Sequence, residues 1–212
     1  MTARRTADTA RCDRNALRIV EIRMLDAARS TLLLVDFQAR LMPAISGAAA
    51  AIANAQRLAA AAHLLGVPIL ATEQNPAGLG GTVDELAGRA DTTVAKTSFD
   101  ASAGTGLTGL LSPDRASIVV AGWEAHVCVL QTALGLAAKG FAPVIVQDAV
   151  ASRRPESKAG ALQRLAHHRI EIVTTEMVVF EWLRDCTHPA FREALALVKD
   201  GPREAIGFLR RG

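Results

Sequence analysis

The sequence predicts an α/β protein whose core is a doubly wound, six-stranded, mainly parallel sheet with helices on both faces. Six short apolar runs do not alternate with polar residues, which is typical of strands that are covered on both faces. Longer stretches with helical periodicity lie between and after these runs. Such alternation of strands and helices favours right-handed crossovers and therefore a parallel sheet.

The order of the elements follows from their start and stop signals. Gly66 and Gly140 directly follow the first two predicted helices, and Pro155 opens the third, in line with the usual preferences at helix ends. The predicted strands cover 31–35, 67–71, 92–95, 117–121, 144–147 and 170–174. The predicted helices cover 48–65, 127–139, 155–168, 176–185 and 189–199.

No repeat, low-complexity run or Pro/Ser-rich linker divides the chain, so we expect one domain over residues 24–212. The preceding residues, 1–23, contain six Arg against three acids and no apolar signal segment. We expect them to form a flexible N-terminal extension. The three cysteines, Cys12, Cys128 and Cys186, form no CxxC pair, which favours a cytoplasmic protein with reduced thiols.

Composition excludes several classes of protein. Half of the 212 residues are hydrophobic, which rules out a disordered chain. Charged residues interrupt every apolar run before it reaches the ~18 residues of a membrane span, so we expect no membrane partner. A net charge of only +3 and an aromatic content of 4% disfavour nucleic acid as a partner.

Two charged residues directly follow apolar strands. Asp36 comes after the first predicted strand and Lys96 after the third. Ligands of parallel sheets bind beyond the carboxyl ends of the strands, and charges there are costly unless they are paired or solvated. An ion pair that stabilises the rim of the sheet would also satisfy both charges, so position alone leaves the two interpretations open.

Cys128 lies at the opening of the helix that follows the fourth predicted strand. A lone cysteine is usually an inert core residue, but a helix N-terminus offers free N–H groups and a positive dipole that favour the thiolate. We therefore expect Lys96 and these amides to outweigh burial and Asp36, and to keep Cys128 ionised near neutral pH. A nucleophile, a carboxylate and a cation at three strand ends indicate covalent catalysis.

Three segments contain these residues: LLLVDFQARLMP with Asp36, VAKTSFDA with Lys96, and VVAGWEAHVCVLQTALGLAAKGF with Cys128. In this order they resemble the isochorismatase-like cysteine hydrolases, which include nicotinamidases and carbamoylsarcosine amidases. TEQNPAGLGGTVDEL, QDAVASR and DCTHPAF are similar to the isochorismatase domain-containing subgroup. The resemblance implies that Asp36 is the general base, that Lys96 supports the thiolate and that Cys128 attacks. It also implies a cis peptide at Trp123–Glu124 that aims the amides of Glu124 and Cys128 at the oxyanion.

We expect neither a cofactor nor a metal. Metal-dependent nicotinamidases carry an Asp-x-His pair and a further His after the second strand, whereas this chain reads Thr-Glu-Gln-Asn-Pro over 72–76 and has no His between Leu64 and Ala125. The GxGxxG sequence over 104–109 does not directly follow a strand. No acidic residue ends a second strand ~20 residues further on, so this sequence does not fit a dinucleotide fingerprint.

The sequence thus predicts a cofactor-free cysteine hydrolase that acts on a small-molecule amide, carbamoyl or related acyl substrate. Two alternatives stay open: an isochorismate-type vinyl-ether hydrolase, which needs no thiol, and a non-catalytic binding protein on the same fold. Four residues near the motifs are candidates for the substrate pocket, although core packing explains the aromatic ones equally well: Phe37, Gln38, Phe99 and His126. The Ala-rich helix over 48–65 suggests close helix packing, and the resemblance to the family implies a homo-oligomer.

Overall fold

A six-stranded sheet organises residues 24–199, which are the residues that the computed structural model describes. The predicted extension over 1–23 and the last residues, 200–212, lie outside the described residues. The strands are β1 (Ser30–Val35), β2 (Ile69–Gln74), β3 (Thr92–Lys96), β4 (Ser117–Trp123), β5 (Ala142–Ala151) and β6 (Glu171–Val173). Their order is β3-β2-β1-β4-β5-β6 and every neighbouring pair is parallel. The predicted doubly wound α/β class is confirmed, with a sheet that is wholly parallel.

Helices cover both faces of this sheet. The α-helices are α1 (Ala48–Leu65), α2 (Pro76–Leu79), α3 (Leu107–Leu110), α4 (Leu130–Ala138), α5 (Pro155–His167), α6 (Thr175–Leu183) and α7 (Phe191–Lys199). One face is packed by α1, α6 and α7, and the other by α3, α4 and α5. Within residues 24–199, none of the helices combines the length and the apolar character that a membrane span requires.

Strand β1 shows why the apolar runs do not alternate with polar residues. All six of its residues are buried. Leu32 and Leu34 pack into the core on the α1 side, whereas Leu33 and Val35 pack into the core on the α4 side. A central strand of a parallel sheet must be apolar on both faces, because each face is covered by helices. The unbroken run over 31–35 therefore predicts this strand correctly.

Two elements differ from the prediction in a way that shapes the carboxyl edge of the sheet. Strand β2 ends at Gln74, later than the predicted 67–71, because its ladder with β3 continues until Gln74 faces Lys96. The predicted helix over 127–139 consists of a π-helical turn, Ala125–Val129, followed by α4. Cys128 therefore lies inside the π-helical turn.

A close approach of two strands fixes the backbone just before Asp36. Gly122, near the end of β4, pairs with Val35 of β1 and has a φ of +144°. A Cβ atom at this position would lie 2.1 Å from the carbonyl oxygen of Val35. Only glycine fits this conformation and this spacing. The contact brings the ends of β1 and β4 together, and with them the segments that carry Asp36 and Cys128.

Gly122→Ala is expected to destabilise the fold by about 3 kcal/mol or more, because the new methyl group meets a backbone oxygen that cannot move away. Gly160→Ala is the matched control, since Gly160 lies within helix α5 and its added Cβ would meet nothing within 4 Å. That control should gain roughly 0.5–1 kcal/mol from the higher helix propensity of alanine. Denaturant unfolding of both variants measures the difference, and equal stabilities would contradict the close approach.

Candidate active site

A buried ion pair lies at the carboxyl edge of the sheet. Asp36 directly follows β1, and Lys96 is the last residue of β3. The Nζ atom of Lys96 lies 2.7 Å from Oδ2 of Asp36, and both side chains have 0% exposed surface. Two charges without solvent are stable only where other polar groups satisfy them as well.

Three further groups supply those hydrogen bonds. Lys96 Nζ also donates to Oε1 of Gln74 at 2.7 Å and to the carbonyl oxygen of Ser98 at 3.3 Å. The hydroxyl of Thr72 donates to Oδ1 of Asp36 at 2.7 Å. An ammonium group has three N–H donors, so the ion pair and these two contacts give Lys96 as many oxygen acceptors as it has donors.

Gln38 joins the strand ends behind this pair. Its Nε2 group donates to the carbonyl oxygens of Gln74 (3.1 Å) and Gly80 (2.6 Å), and its Oε1 atom accepts from the backbone N–H of Gln74 (2.8 Å). The Gln38 side chain is fully buried and both of its N–H donors are used. The structure thus places Gln38, a candidate pocket residue, behind the ion pair, where it holds Gln74 against Lys96.

The Cys128 thiol lies beside the ion pair and is 7% exposed. The pKa of the thiol is raised from 9.0 to about 12, mainly by burial and also by the charge and hydrogen bonding of Asp36. Lys96 lowers the pKa of the thiol by its charge and hydrogen bonding, but less strongly. The prediction that Lys96 and the amides at the helix start keep Cys128 ionised is therefore wrong. Desolvation and the Asp36 carboxylate have the larger effect on the pKa, and the resting thiol is protonated.

The peptide bond between Trp123 and Glu124 is cis, as the family resemblance implied. The carboxylate of Glu124 accepts from the backbone N–H of Arg153 at 3.1 Å and from its Nε at 2.9 Å. Trp123 is fully buried and packs against Phe37, with ring centroids 4.7 Å apart. Both rings belong to the core on the α1 side, whereas Cys128 belongs to the core on the α4 side. Phe37 is thus placed as a core residue.

Two cavities open near these residues. Lys96 is part of the lining of one, of about 360 Å³, together with Asn75, Pro76 and Thr105 among others. His126 lines the second, of about 380 Å³. Phe99, in the loop after β3, is 51% exposed and lines neither cavity. Of the four pocket candidates, the structure therefore places only His126 at a cavity.

The sequence analysis missed the contributions of Thr72 and Gln74. A signal was present, because both are polar residues at the end of an otherwise apolar strand, but neither was predicted to be a site residue. Asp148, by contrast, accepts from the backbone N–H and the hydroxyl of Thr175 at the start of α6, which is a structural role. Within residues 24–199, no three His, Cys, Asp or Glu side chains converge in a way that could hold a metal ion.

Comparison with known proteins agrees with this architecture. The family model described as the isochorismatase domain matches residues 30–177. The chain belongs to the isochorismatase family. It is 37% identical over 196 residues to isochorismatase domain-containing protein 1 of Danio rerio, covering 86% of this chain and 68% of that protein.

Solved structures of other proteins share the fold. A MAR1 ribonuclease from Caenorhabditis elegans superimposes with a TM-score of 0.80 at 28% identity, over 90% of this chain and 99% of that one. The YcaC protein of Escherichia coli, described as an octameric hydrolase of unknown specificity, superimposes with a TM-score of 0.72 at 23% identity. The match to YcaC covers 82% of this chain and 87% of that one, and shows a shared fold.

Breaking the ion pair from one side should cost more stability than removing it altogether. Lys96→Met leaves the buried Asp36 carboxylate without its cation and is expected to destabilise the protein by about 3–5 kcal/mol. Asp36→Asn likewise leaves the buried Lys96 ammonium without its anionic partner. The double variant, Asp36→Asn with Lys96→Met, removes both charges and should be more stable than either single variant.

Denaturant unfolding of the wild type and these three variants gives a double-mutant cycle for the ion pair. Additive losses, in which the double variant is the least stable, would mean that the two side chains do not depend on each other, contrary to the geometry.

Proposed function

We propose that the protein is a cysteine hydrolase that cleaves a C–N bond in a small amide, carbamoyl or related acyl substrate. Cys128 is the nucleophile, Asp36 is the general base, and Lys96 holds Asp36 in place. The observation that carries the proposal is a thiol beside a fully buried carboxylate–ammonium pair at the carboxyl ends of parallel strands.

The charge balance of the site supports this division of roles. At rest the thiol is neutral and the charges of Asp36 and Lys96 cancel. Loss of the Cys128 proton to solvent would leave a net negative charge in a buried site, which burial opposes. Transfer of the same proton to Asp36 keeps the net charge at zero, because the new thiolate then balances Lys96. The site therefore favours transfer of the proton from Cys128 to Asp36 over its loss to solvent.

The proposed reaction proceeds in two halves. The Sγ atom of Cys128 attacks the substrate carbonyl carbon while Asp36 accepts the thiol proton, and the backbone amides of Glu124 and Cys128 stabilise the oxyanion. The tetrahedral intermediate collapses, the C–N bond breaks, and the amine leaves with the proton from Asp36. Water then attacks the thioester as Asp36 takes a proton from it, and the proton returns to the sulfur when the acid is released. Atoms and protons balance over these two halves without an oxidant or a cofactor.

A second candidate, ribonuclease activity, comes from the name of the C. elegans relative. Cleavage of RNA through its own 2′-hydroxyl group needs a base and an acid but no thiol nucleophile. The chain's low aromatic content and small net charge favour the small-molecule substrate. Replacement of Cys128 distinguishes the two activities.

We also propose that the protein forms a homo-oligomer, and two observations support this proposal. Phe99 is 51% exposed in the loop that follows Lys96, and Leu110 at the end of α3 is 49% exposed. The octameric state described for E. coli YcaC gives a precedent for assembly on this fold.

Cys128→Ala is expected to lower amide and carbamoyl hydrolysis by at least about 10³-fold, because the covalent route is lost. Cys186→Ala is the matched control, since Cys186 is a free, exposed cysteine, and it should keep full activity. A panel of small amides and carbamoyl compounds, read by amine release, measures both variants. Mass spectrometry of the quenched wild-type protein should detect the acyl group on Cys128.

Two outcomes would contradict the proposed function. Cys128→Ala that retains amide hydrolysis would remove the nucleophile from the mechanism. Cleavage of an oligoribonucleotide by both the wild type and Cys128→Ala, with no turnover of any amide, would favour the ribonuclease candidate.

A further inference from the structure

The hydroxyl of Thr72 contacts the oxygen atom of Asp36 that is better placed to receive a proton. Oδ2 of Asp36 lies 2.7 Å from Nζ of Lys96, an ammonium group that donates hydrogen bonds but cannot accept one. A proton added to Oδ2 would therefore face a positive charge. Oδ1 accepts from the neutral hydroxyl of Thr72 at 2.7 Å. The thiol proton of Cys128 is thus better received at Oδ1 than at Oδ2.

Thr72 also holds the backbone of Asp36. Thr72 pairs with Val35 in the ladder between β1 and β2, and its carbonyl oxygen accepts from the backbone N–H of Asp36 at 3.0 Å. Asp36 has a φ of +53°, a left-handed conformation that is uncommon for residues other than glycine and that persists where the surrounding structure fixes it. One residue therefore fixes both the backbone and the carboxylate of the proposed general base.

The hydrogen bond from Thr72 affects where the proton rests. Thr72 is 1% exposed and Asp36 is 0% exposed, so water does not compete for this bond. A hydroxyl that donates to a carboxylate stabilises the ionised form, because a hydrogen bond to a charged group is roughly twice as strong as one between neutral groups. The bond therefore opposes the addition of a proton to Oδ1. Since that proton would come from Cys128, the same bond keeps it on the sulfur.

We propose that Thr72 is a positioning residue that keeps the resting proton on Cys128, by donating a hydrogen bond to the Asp36 oxygen that accepts this proton during the reaction. The inference rests on the proposed function, in which Asp36 is the general base. When the proton moves, the S–H bond breaks and an O–H bond forms at Oδ1, and the net charge of the site stays the same. Within residues 24–199, the charged groups that act on the thiol are Asp36 and Lys96, so Thr72 acts through Asp36.

Alkylation of Cys128 by iodoacetamide near neutral pH tests this role without a known substrate. Thr72→Val keeps the shape of the side chain but removes the hydroxyl, so the fraction of thiolate, and with it the alkylation rate, should rise about fivefold. The rise should be nearly independent of pH near neutrality, because the transfer releases no proton to solvent. Thr72→Ser keeps a hydroxyl and should react at nearly the wild-type rate. Peptide mass spectrometry separates Cys128 from the exposed Cys186, whose rate should not change.

Two controls distinguish this role from a general loosening of the site. Thr175→Val removes another buried hydroxyl that donates to a carboxylate, that of Asp148 at 3.0 Å, and should leave the alkylation of Cys128 unchanged. In the Asp36→Asn background no carboxylate is present to take the proton, so the addition of Thr72→Val should not raise the rate. A looser site would expose the sulfur and raise the rate in both backgrounds.

An alkylation rate that is unchanged or lower in Thr72→Val overturns the inference, as does an equal rise in the Asp36→Asn background. If Asp36→Asn does not fold, a rise in Thr72→Ser as large as that in Thr72→Val overturns it in the same way. A Cys128 that iodoacetamide modifies in none of the variants also overturns it. Labelling needs no turnover, so these outcomes are separate from the failure of the proposed function, which is hydrolysis retained in Cys128→Ala.

Discussion

The ion pair between Asp36 and Lys96 is the constraint on which the rest of the site depends. Both side chains are completely removed from solvent, so every hydrogen bond that water would have made must come from the protein. The ends of β2 and the loop after β3 supply these bonds through Thr72, Gln74 and Ser98. The parallel sheet makes this possible, because β1, β2 and β3 end side by side at one edge.

The same pair governs the chemistry of the thiol. A nearby carboxylate and burial keep the proton on Cys128, whereas an isolated thiol at a helix start would lose it more readily. In the proposed mechanism, the proton moves between sulfur and Asp36 and is not lost to solvent. A thiol that becomes ionised only in the presence of substrate would also be protected from oxidation, since oxidation requires the thiolate.

The sequence predicts the fold correctly and singles out Asp36, Lys96 and Cys128, which the structure places next to one another, because both predictions depend on local patterns. Apolar runs mark strands buried on two faces, and the charges of Asp36 and Lys96 stand out at their ends. Sequence reasoning failed for the pKa of Cys128, whose sign depends on the burial and relative strength of neighbours that only three-dimensional packing sets. It also could not distinguish Phe37, which packs in the core, from His126, which lines a cavity, because the residue type alone does not determine whether a side chain faces the core or a cavity.

The protonation state of Cys128 at rest is the central claim, and direct titration of its thiolate tests it most directly. The ultraviolet absorbance of the thiolate, taken as the difference between the wild type and Cys128→Ala across a pH series, isolates this one group. We predict no thiolate signal from Cys128 near neutral pH and an onset only well above pH 9.0, toward the pKa of about 12. A full thiolate signal near neutral pH would contradict the account, because the proton would then have left the sulfur before any substrate arrives.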